Sequence, residues 1–406
     1  MKKSFKWIAF IMVYVMILST FLSGCSSNGG STAANSGSGG SAAASNDSEV
    51  IKIGVFEPLT GENGGGGSQE TDGIKYANEV YSEVLGKKVE LVIVDNKSDK
   101  GEATTAVTRL IEKDGVVAII GSYGSGVSIA AGDIIKQAGI PAMGASCTNP
   151  MVTQGNEYYF RACFLDPFQG TVMANYAIQN GAKTAAVITQ NGDDYSTGLG
   201  NFFKQAFVKL TGDEGSIVAD MVFQTNDQDF NAILTNIKAA NPDVIFAPSS
   251  IATAPLIIKQ ARALGITCPI MGGDTWENVS IIDVAGSDAE GVVISTFFDE
   301  NDTAATDEAK AFVKGYKERL GGDDAVIPAV AALGYDAYII VLNAIERAGS
   351  TDGAAIRDAL AETDGFEGVT GAFRFDENGD AQKSVAIIKT VKDGQFEYLS
   401  TVTVNE

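Results

Sequence analysis

Three short clusters carry the side chains with chemical potential, each placed after an apolar run. Gly121-Ser122-Tyr123-Gly124-Ser125-Gly126 follows Val116 to Ile120 and opens a helical pattern. Glycines there let backbone N–H groups approach an anion, and a helix N-terminus adds partial positive charge. Ser122 and Ser125 add hydroxyls. The spacing is neither the dinucleotide fingerprint nor a P-loop. A carboxylate suits it, and so does a plain N-cap and turn. Ala145-Ser146-Cys147-Thr148-Asn149-Pro150 ends the next run. Thr148 can donate to a carboxylate and a free carbonyl can accept from an ammonium, but the segment also reads as a loop with an Asn-Pro turn. Met271-Gly272-Gly273-Asp274-Thr275-Trp276 offers a carboxylate and an indole to a cationic head group. Asp274 as a turn cap is the alternative. Asp193, Asp194 and Tyr195 follow a further strand pattern. An anion site in one half and a cation site in the other would together hold a zwitterion.

The elements that must carry these clusters alternate. Short β-branched runs at Ile51–Phe56, Val89–Val94, Val116–Ile120 and Ile140–Gly144 are separated by helical stretches near Thr71–Val84, Ala103–Lys113 and Ser128–Gln137. The alternation repeats from Ala185. Strands are predicted at Ala185–Thr189, Ile217–Phe223, Asp243–Ala247, Pro269–Gly272 and Val292–Phe298, with helices through Phe202–Leu210 and Leu256–Leu264. Phe230, Ile233, Leu234 and Ile237 give a further helix one apolar face. Such a pattern indicates parallel sheets covered on both faces, in two α/β halves. Helices near Glu308–Arg319, Ala329–Ala348 and Ala354–Ala361 precede a β-rich tail with turns at Glu377–Asp380 and Lys392–Gly394. In open α/β sheets ligands bind beyond the carboxyl ends of the strands, where all three clusters fall.

Composition narrows the chemistry. The chain has 406 residues and a formal net charge of −22, which makes nucleic acid and anionic lipid poor partners. Histidine is absent, which removes Ser-His-Asp and Cys-His catalysis and the commonest metal ligand. No nucleophile elbow is present either, so a secreted hydrolase is the weaker alternative. Cys147, Cys163 and Cys268 are widely spaced and form no zinc motif; free, buried thiols are expected, and one disulfide stays open.

The N-terminus reads as an export signal. Lys2, Lys3 and Lys6 precede an apolar run from Trp7 to Leu22, then Leu22-Ser23-Gly24-Cys25. This layout resembles the lipobox of bacterial lipoproteins, which implies cleavage before Cys25 and acylation of its thiol. An ordinary signal peptide and an uncleaved anchor are the alternatives. Residues 26–48 are almost all Ser, Gly, Ala and Asn, a composition that makes a flexible coil.

The folded body, from "IKIGVFEPLTG" to the tail, resembles the leucine/isoleucine/valine-binding protein family, the substrate-binding lipoproteins of amino-acid ABC transporters. The most specific segments are "VVAIIGSYGSG", "GIPAMGASCTNP", "FRACFLDPFQG", "PIMGGDTWEN" and "AALGYDAYIIVLNAIERAG". The resemblance implies a type I periplasmic-binding-protein fold: two doubly wound Rossmann-like lobes joined by three hinge crossovers. The expected division is a signal peptide at 1–24, a lipidated tether at 25–49, a first lobe at 50–165 and 299–367, and a second at 166–298 and 368–406. It implies that Ser125 and Thr148 hold a ligand carboxylate. The Ser146 carbonyl and Asp274 would hold its ammonium, with Tyr195 and Tyr335 as walls. Tyr123 and Trp276 flank these positions within the same motifs. Ser250 stands where a wall tyrosine is usual, Asp274 is one methylene shorter than the usual Glu, and Gly64–Gly67 replace a bulkier loop.

A monomeric extracytoplasmic receptor for an α-amino acid follows as the expectation, with branched-chain or other aliphatic ligands as the family default and an amide or aromatic acid as an alternative. It would have no cofactor or metal, would sit lipid-anchored on the outer face of the bacterial cytoplasmic membrane, and would serve an ABC permease. A sensing role with the same clamp is the other reading.

Overall fold

The computed structural model describes residues 50–301 and 306–403. The expected signal segment, Cys25 and the tether lie outside these residues.

The first sheet contains β1 (Val50–Glu57), β2 (Glu83–Val84), β3 (Lys87–Asp95), β4 (Ala118–Ile120), β5 (Ala142–Gly144) and β6 (Tyr159–Arg161) in the order β2-β3-β1-β4-β5-β6. All neighbours are parallel except β2 and β3. The chain starts at β1, moves to β3 on one side, then to β4 on the other. A topological switch point therefore lies between β1 and β4, where helices leave in opposite directions and a crevice opens.

The second sheet repeats the plan with β7 (Ala185–Asn191), β8 (Ile217–Gln224), β9 (Val244–Phe246), β10 (Ile270–Gly272) and β11 (Val293–Thr296), and its switch point lies between β7 and β9. From the tail, β12 (Asp364–Gly368) and β13 (Gly371–Arg374) form a separate hairpin. The last two strands, β14 (Val385–Lys392) and β15 (Gln395–Thr403), add antiparallel to β11. Asp393 and Gly394 both have positive φ in the turn between them, as a tight hairpin requires.

Each sheet is buried on both faces because its strands are apolar at successive positions. In β1, Ile51, Ile53 and Val55 join one core, while Phe56 joins the other. In the second sheet Ala186 and Ile188 face one core, and Ala185 and Val187 the opposite one.

Helices α1 (Gly64–Val80), α2 (Lys100–Arg109) and α3 (Ser125–Ala138) cover the first sheet. Helices α4 (Asp166–Gln179), α5 (Asp194–Thr211), α6 (Asn231–Ala240), α7 (Ala254–Ala263) and α8 (Val279–Ala285) belong to the second half. Then come α9 (Asp307–Leu320), α10 (Ala329–Ala348) and α11 (Gly353–Ala361). Helix α10 is long and apolar enough to cross a membrane, yet 89% of its apolar window is buried. It is the core helix of the first lobe, where it contributes Leu333, Ala337 and Ile340.

The chain passes between the sheets after β6, after β11 and before β14. The hairpin residues Val369 and Phe373, with Phe375 and Ala381, pack into the first core. The third passage therefore falls after Ala381 rather than at the expected 367/368 boundary. Four elements were not read from the sequence: β2, which the expected helix to Val84 covered, β6, α4 and α8. Helix α1 begins at Gly64, seven residues before the expected start, because its first turn is four glycines, poor helix formers in isolation.

Candidate ligand-binding cleft

Ser125, Ser146, Tyr123, Tyr195 and Asp274 line one small cavity between the two sheets, with a volume of about 10 Å³. Each stands just beyond a strand end, where sheet topology leaves backbone groups free.

Ser125 is the first residue of α3 and 1% exposed. Its hydroxyl accepts the Asn149 N–H at 3.1 Å, which ties the β4 loop to the β5 loop. Ser122 does not reach the cavity. Its hydroxyl accepts from Asn96 Nδ2 at 2.7 Å, and its N–H donates to Ser128 Oγ at 3.2 Å. Ser146 donates its hydroxyl to Glu70 Oε2, so its side chain is occupied while its segment borders the cavity. Thr148 is fully buried beside the Asp166 carboxyl, and its carbonyl accepts the Asp166 N–H at 3.0 Å.

A buried guanidinium shapes this loop. Arg161 donates to the carbonyls of Cys147 and Asn149 at 2.8 and 2.7 Å and pairs with Asp380 at 2.5 Å. Three carbonyls around Thr148, counting Pro150, are thereby fixed by one planar fork.

Asp274 opens a 3-10 turn after β10 and is 2% exposed. It accepts from Gln169 Nε2 at 2.8 Å and from the Tyr195 hydroxyl at 3.0 Å. Burial pushes its carboxyl up to about 6, with those two hydrogen bonds opposing the shift. No cationic side chain among the described residues pairs with it, so it can take an ammonium. Asp193 caps α5 through the Tyr195 N–H at 3.0 Å, and burial together with Glu62 pushes its carboxyl up to about 7.

The lobes touch directly around the cavity. The Tyr123 hydroxyl donates to the Thr275 carbonyl at 3.4 Å. Ala252 N–H donates to the Glu62 carbonyl at 3.2 Å, and Gln190 Nε2 donates to the Glu62 carboxylate at 3.0 Å. Asn278 Nδ2 donates to Gln69 at 3.2 Å, and Lys100 pairs with Asp194 at 2.7 Å. The run of glycines makes this approach feasible. A Cβ on Gly66 would sit 2.4 Å from Tyr123 Cζ, so the tyrosine ring fills the space a bulkier loop would occupy.

Four expected site residues do not line this cavity. Tyr335 is on α10 with its ring 4.9 Å from Phe312 and 5.7 Å from Tyr76, and its hydroxyl donates to Glu308 at 2.7 Å. It belongs to the first core. Trp276 is fully buried in the second core, stacked behind Gly272, where a Cβ would meet its ring at 2.3 Å. Ser250 donates its N–H to Gln190 at 3.2 Å and shares a hydroxyl bond with Thr253. Thr148 does not line this cavity, and its buried hydroxyl has no hydrogen-bond partner among the described residues. Conversely, Asn63, Glu70, Asp166 and Gln169 were not read from the sequence as site residues, although three surround the site and Asn63 lines it. The signal for Asp166 and Gln169 lay in "FRACFLDPFQG", just past the unread strand β6.

A larger cavity, about 540 Å³, lies at the crossovers near Phe164, Phe297 and Lys383. Its ammonium is already engaged: Lys383 Nζ donates to the Thr370 carbonyl at 2.9 Å and stands 3.5 Å above the Phe373 ring. Cys147 and Cys163 are buried free thiols and Cys268 is a partly exposed one.

Comparison with known proteins agrees with the geometry. A family model described as periplasmic binding protein matches residues 50–395. Leu/Ile/Val-binding protein homolog 3 of Brucella melitensis biotype 1 is 30% identical over 352 residues, covering 85% of this chain and 92% of that protein. Among solved structures, a leucine binding protein, LivK, from Thermotoga maritima MSB8 has a TM-score of 0.83 and 40% identity, covering 87% of this chain and 99% of that one. The branched-chain amino acid transporter substrate binding protein LivJ of Streptococcus pneumoniae, solved in complex with isoleucine, has a TM-score of 0.79 and 32% identity over 87% and 99% of the two chains. With two doubly wound lobes meeting at their switch points, this chain belongs to the periplasmic binding protein family, among the leucine/isoleucine/valine-binding proteins.

Proposed function

We propose that this protein captures an α-amino acid, branched-chain or otherwise aliphatic, between its lobes and delivers it to an ABC permease without chemical conversion. The observation that carries the reading is one cavity bounded by Ser125 of the first lobe and Asp274 of the second. The first N–H groups of α3 and the Ser125 hydroxyl suit a carboxylate. The Asp274 carboxylate and the Ser146 carbonyl suit an ammonium. Tyr123 and Tyr195 close the remaining sides. A zwitterion would replace several interlobe hydrogen bonds with its own, so the ligand stabilises the closed form by differential contact. The similarity to LivK and LivJ supports the amino-acid class.

The protein works outside the cytoplasm in this reading, as its family does, held as a monomer on the outer face of the membrane by lipid on Cys25. Thermal denaturation against the common amino acids tests the ligand class. At about 100 times its Kd, a ligand adds roughly 2.7 kcal/mol to the stability of the folded body. A midpoint unmoved by every amino acid would sink the proposal.

A further inference from the structure

Glu57 and Glu70 are fully buried beneath the cleft, and the chemistry described so far uses neither. Glu57 ends β1 at the first switch point, and Glu70 lies one turn into α1. Each holds a cavity-lining loop. Glu57 Oε2 accepts the Tyr123 N–H at 2.6 Å, and Glu70 Oε2 accepts the Ser146 hydroxyl. No N–H or O–H of the described protein reaches the remaining oxygen of either carboxyl. The two carboxyls lie close enough to act on each other, and a hydrogen bond between them would satisfy both oxygens. Two carboxylates cannot form that bond; one must carry the hydrogen.

The groups facing the pair are Asp274 from the turn after β10, Cys147 from the β5 loop, Cys163 after β6, Tyr159 on β6 and Tyr123 itself. None of these is a cation; Arg161 faces Cys147, Tyr159 and Cys163 from behind and is itself paired with Asp380. Burial holds both carboxyls above the usual range; repulsion by Glu70 adds to this for Glu57, and the charge of Asp274 adds to it for Glu70, which stands at about 7. A pair of this kind titrates as a unit. Gly121 leaves the room for it, since a Cβ there would stand 2.6 Å from Glu57 Oε1.

We propose that Glu57 and Glu70 share one proton, and that this proton holds the loops of Tyr123 and Ser146 together in their ligand-binding geometry. They are a positioning pair, and the binding arm of the idea rests on the amino-acid reading above. Removing the proton sets two buried carboxylates against each other and pushes the β4 and β5 loops apart.

The test uses the full chain with L-leucine as probe. Glu57→Gln replaces the shared O–H with an amide N–H that cannot be lost, whereas Glu57→Ala removes the link. The Gln variant is expected to keep leucine affinity within about threefold at neutral pH, and the Ala variant to lose about tenfold or more. As the pH rises above neutral the wild-type affinity falls more steeply than that of Glu57→Gln; the leucine ammonium titrates identically in both and cancels. Infrared spectra give a readout that packing alone would not move. The band of a protonated carboxylic acid at neutral pH loses the same component in Glu57→Gln and in Glu70→Gln. Parallel affinity profiles, or a band unchanged in either variant, would overturn the proposal. If leucine fails to bind at all, the functional reading falls, while the infrared band and the pH dependence of melting still decide the shared proton.

Discussion

Asp274 is the side chain on which recognition turns. It is buried, raised to about 6 by that burial, and held by two neutral donors. An ammonium would be its only counter-charge. Asp274→Ala should therefore cost about 3–5 kcal/mol of binding, a loss of at least about a hundredfold in isothermal titration calorimetry, with the fold retained. Ligand affinity of the wild type should fall on acidification below about pH 6, as Asp274 takes up a proton. A flat profile from about pH 7 to about pH 5 would remove Asp274 from the ammonium site. Arg161 is the structural counterpart. Its loss leaves Asp380 and the carbonyls of Cys147 and Asn149 without their donor. Arg161→Ala should lower unfolding free energy by about 3–5 kcal/mol in urea titrations. The clusters that hold Ser125, Ser146 and Asp274 were legible because each follows a strand end. Tyr335 and Trp276 were not excluded by the sequence, since an aromatic in a site motif and an aromatic in a core look alike in one dimension.

At the scale of elements, close backbone approach explains residues that propensity does not. Glycines are costly inside a helix, yet α1 carries five from Gly64 to Gly73. A Cβ on Gly73 would lie 1.9 Å from the Ala331 carbonyl, so this glycine lets α1 lie directly on α10. Gly73→Ala should force the helices apart and cost about 1–3 kcal/mol, read as a lower urea midpoint. Little change would mean that α1 shifts without penalty. Strand-helix alternation was readable where a strand is apolar throughout, even at three residues, as in β4 and β9. It failed at β6, whose three residues include the buried Arg161. It failed again at α4, whose apolar face is interrupted by Asp166 and Gln169 turned toward the site. Local patterns misread both because their polar residues are buried by partners distant in sequence.

The molecule as a whole buries several carboxyls raised by burial: Asp274 and Asp336 to about 6, Glu70 and Asp193 to about 7. In each the folded value lies above the unfolded one, so the folded state binds protons more tightly. The stability they contribute is complete below about pH 4 and is lost as pH rises through about 7. Asp95 and Asp243 are held below their usual range by hydrogen bonds and oppose this only in stronger acid. Melting midpoints should therefore be higher near pH 5 than near pH 8, and scanning calorimetry across that range checks the sign. The location of the protein is a separate matter. Cys25→Ala should move it from the membrane fraction to the soluble fraction, as shown by fractionation of the cells that express it, because the lipid would have no thiol to join.

The sequence alone determined the elements with strong local patterns, the two-lobed α/β plan and the absence of histidine chemistry, because periodicity and composition are local properties of the chain. It also placed the clusters that hold Ser125, Ser146 and Asp274 beyond strand ends, where ligands sit, since that rule needs only strand positions, while the choice of these residues within the clusters came from the family resemblance. The tertiary structure decided which of the candidates share a cavity. It sent Tyr335 and Trp276 into the two cores, moved the third crossover past Ala381, and set Glu57 against Glu70. Those outcomes depend on contacts between residues far apart in the chain, such as Tyr123 with Gly66 and Arg161 with Asp380, and no local pattern encodes them.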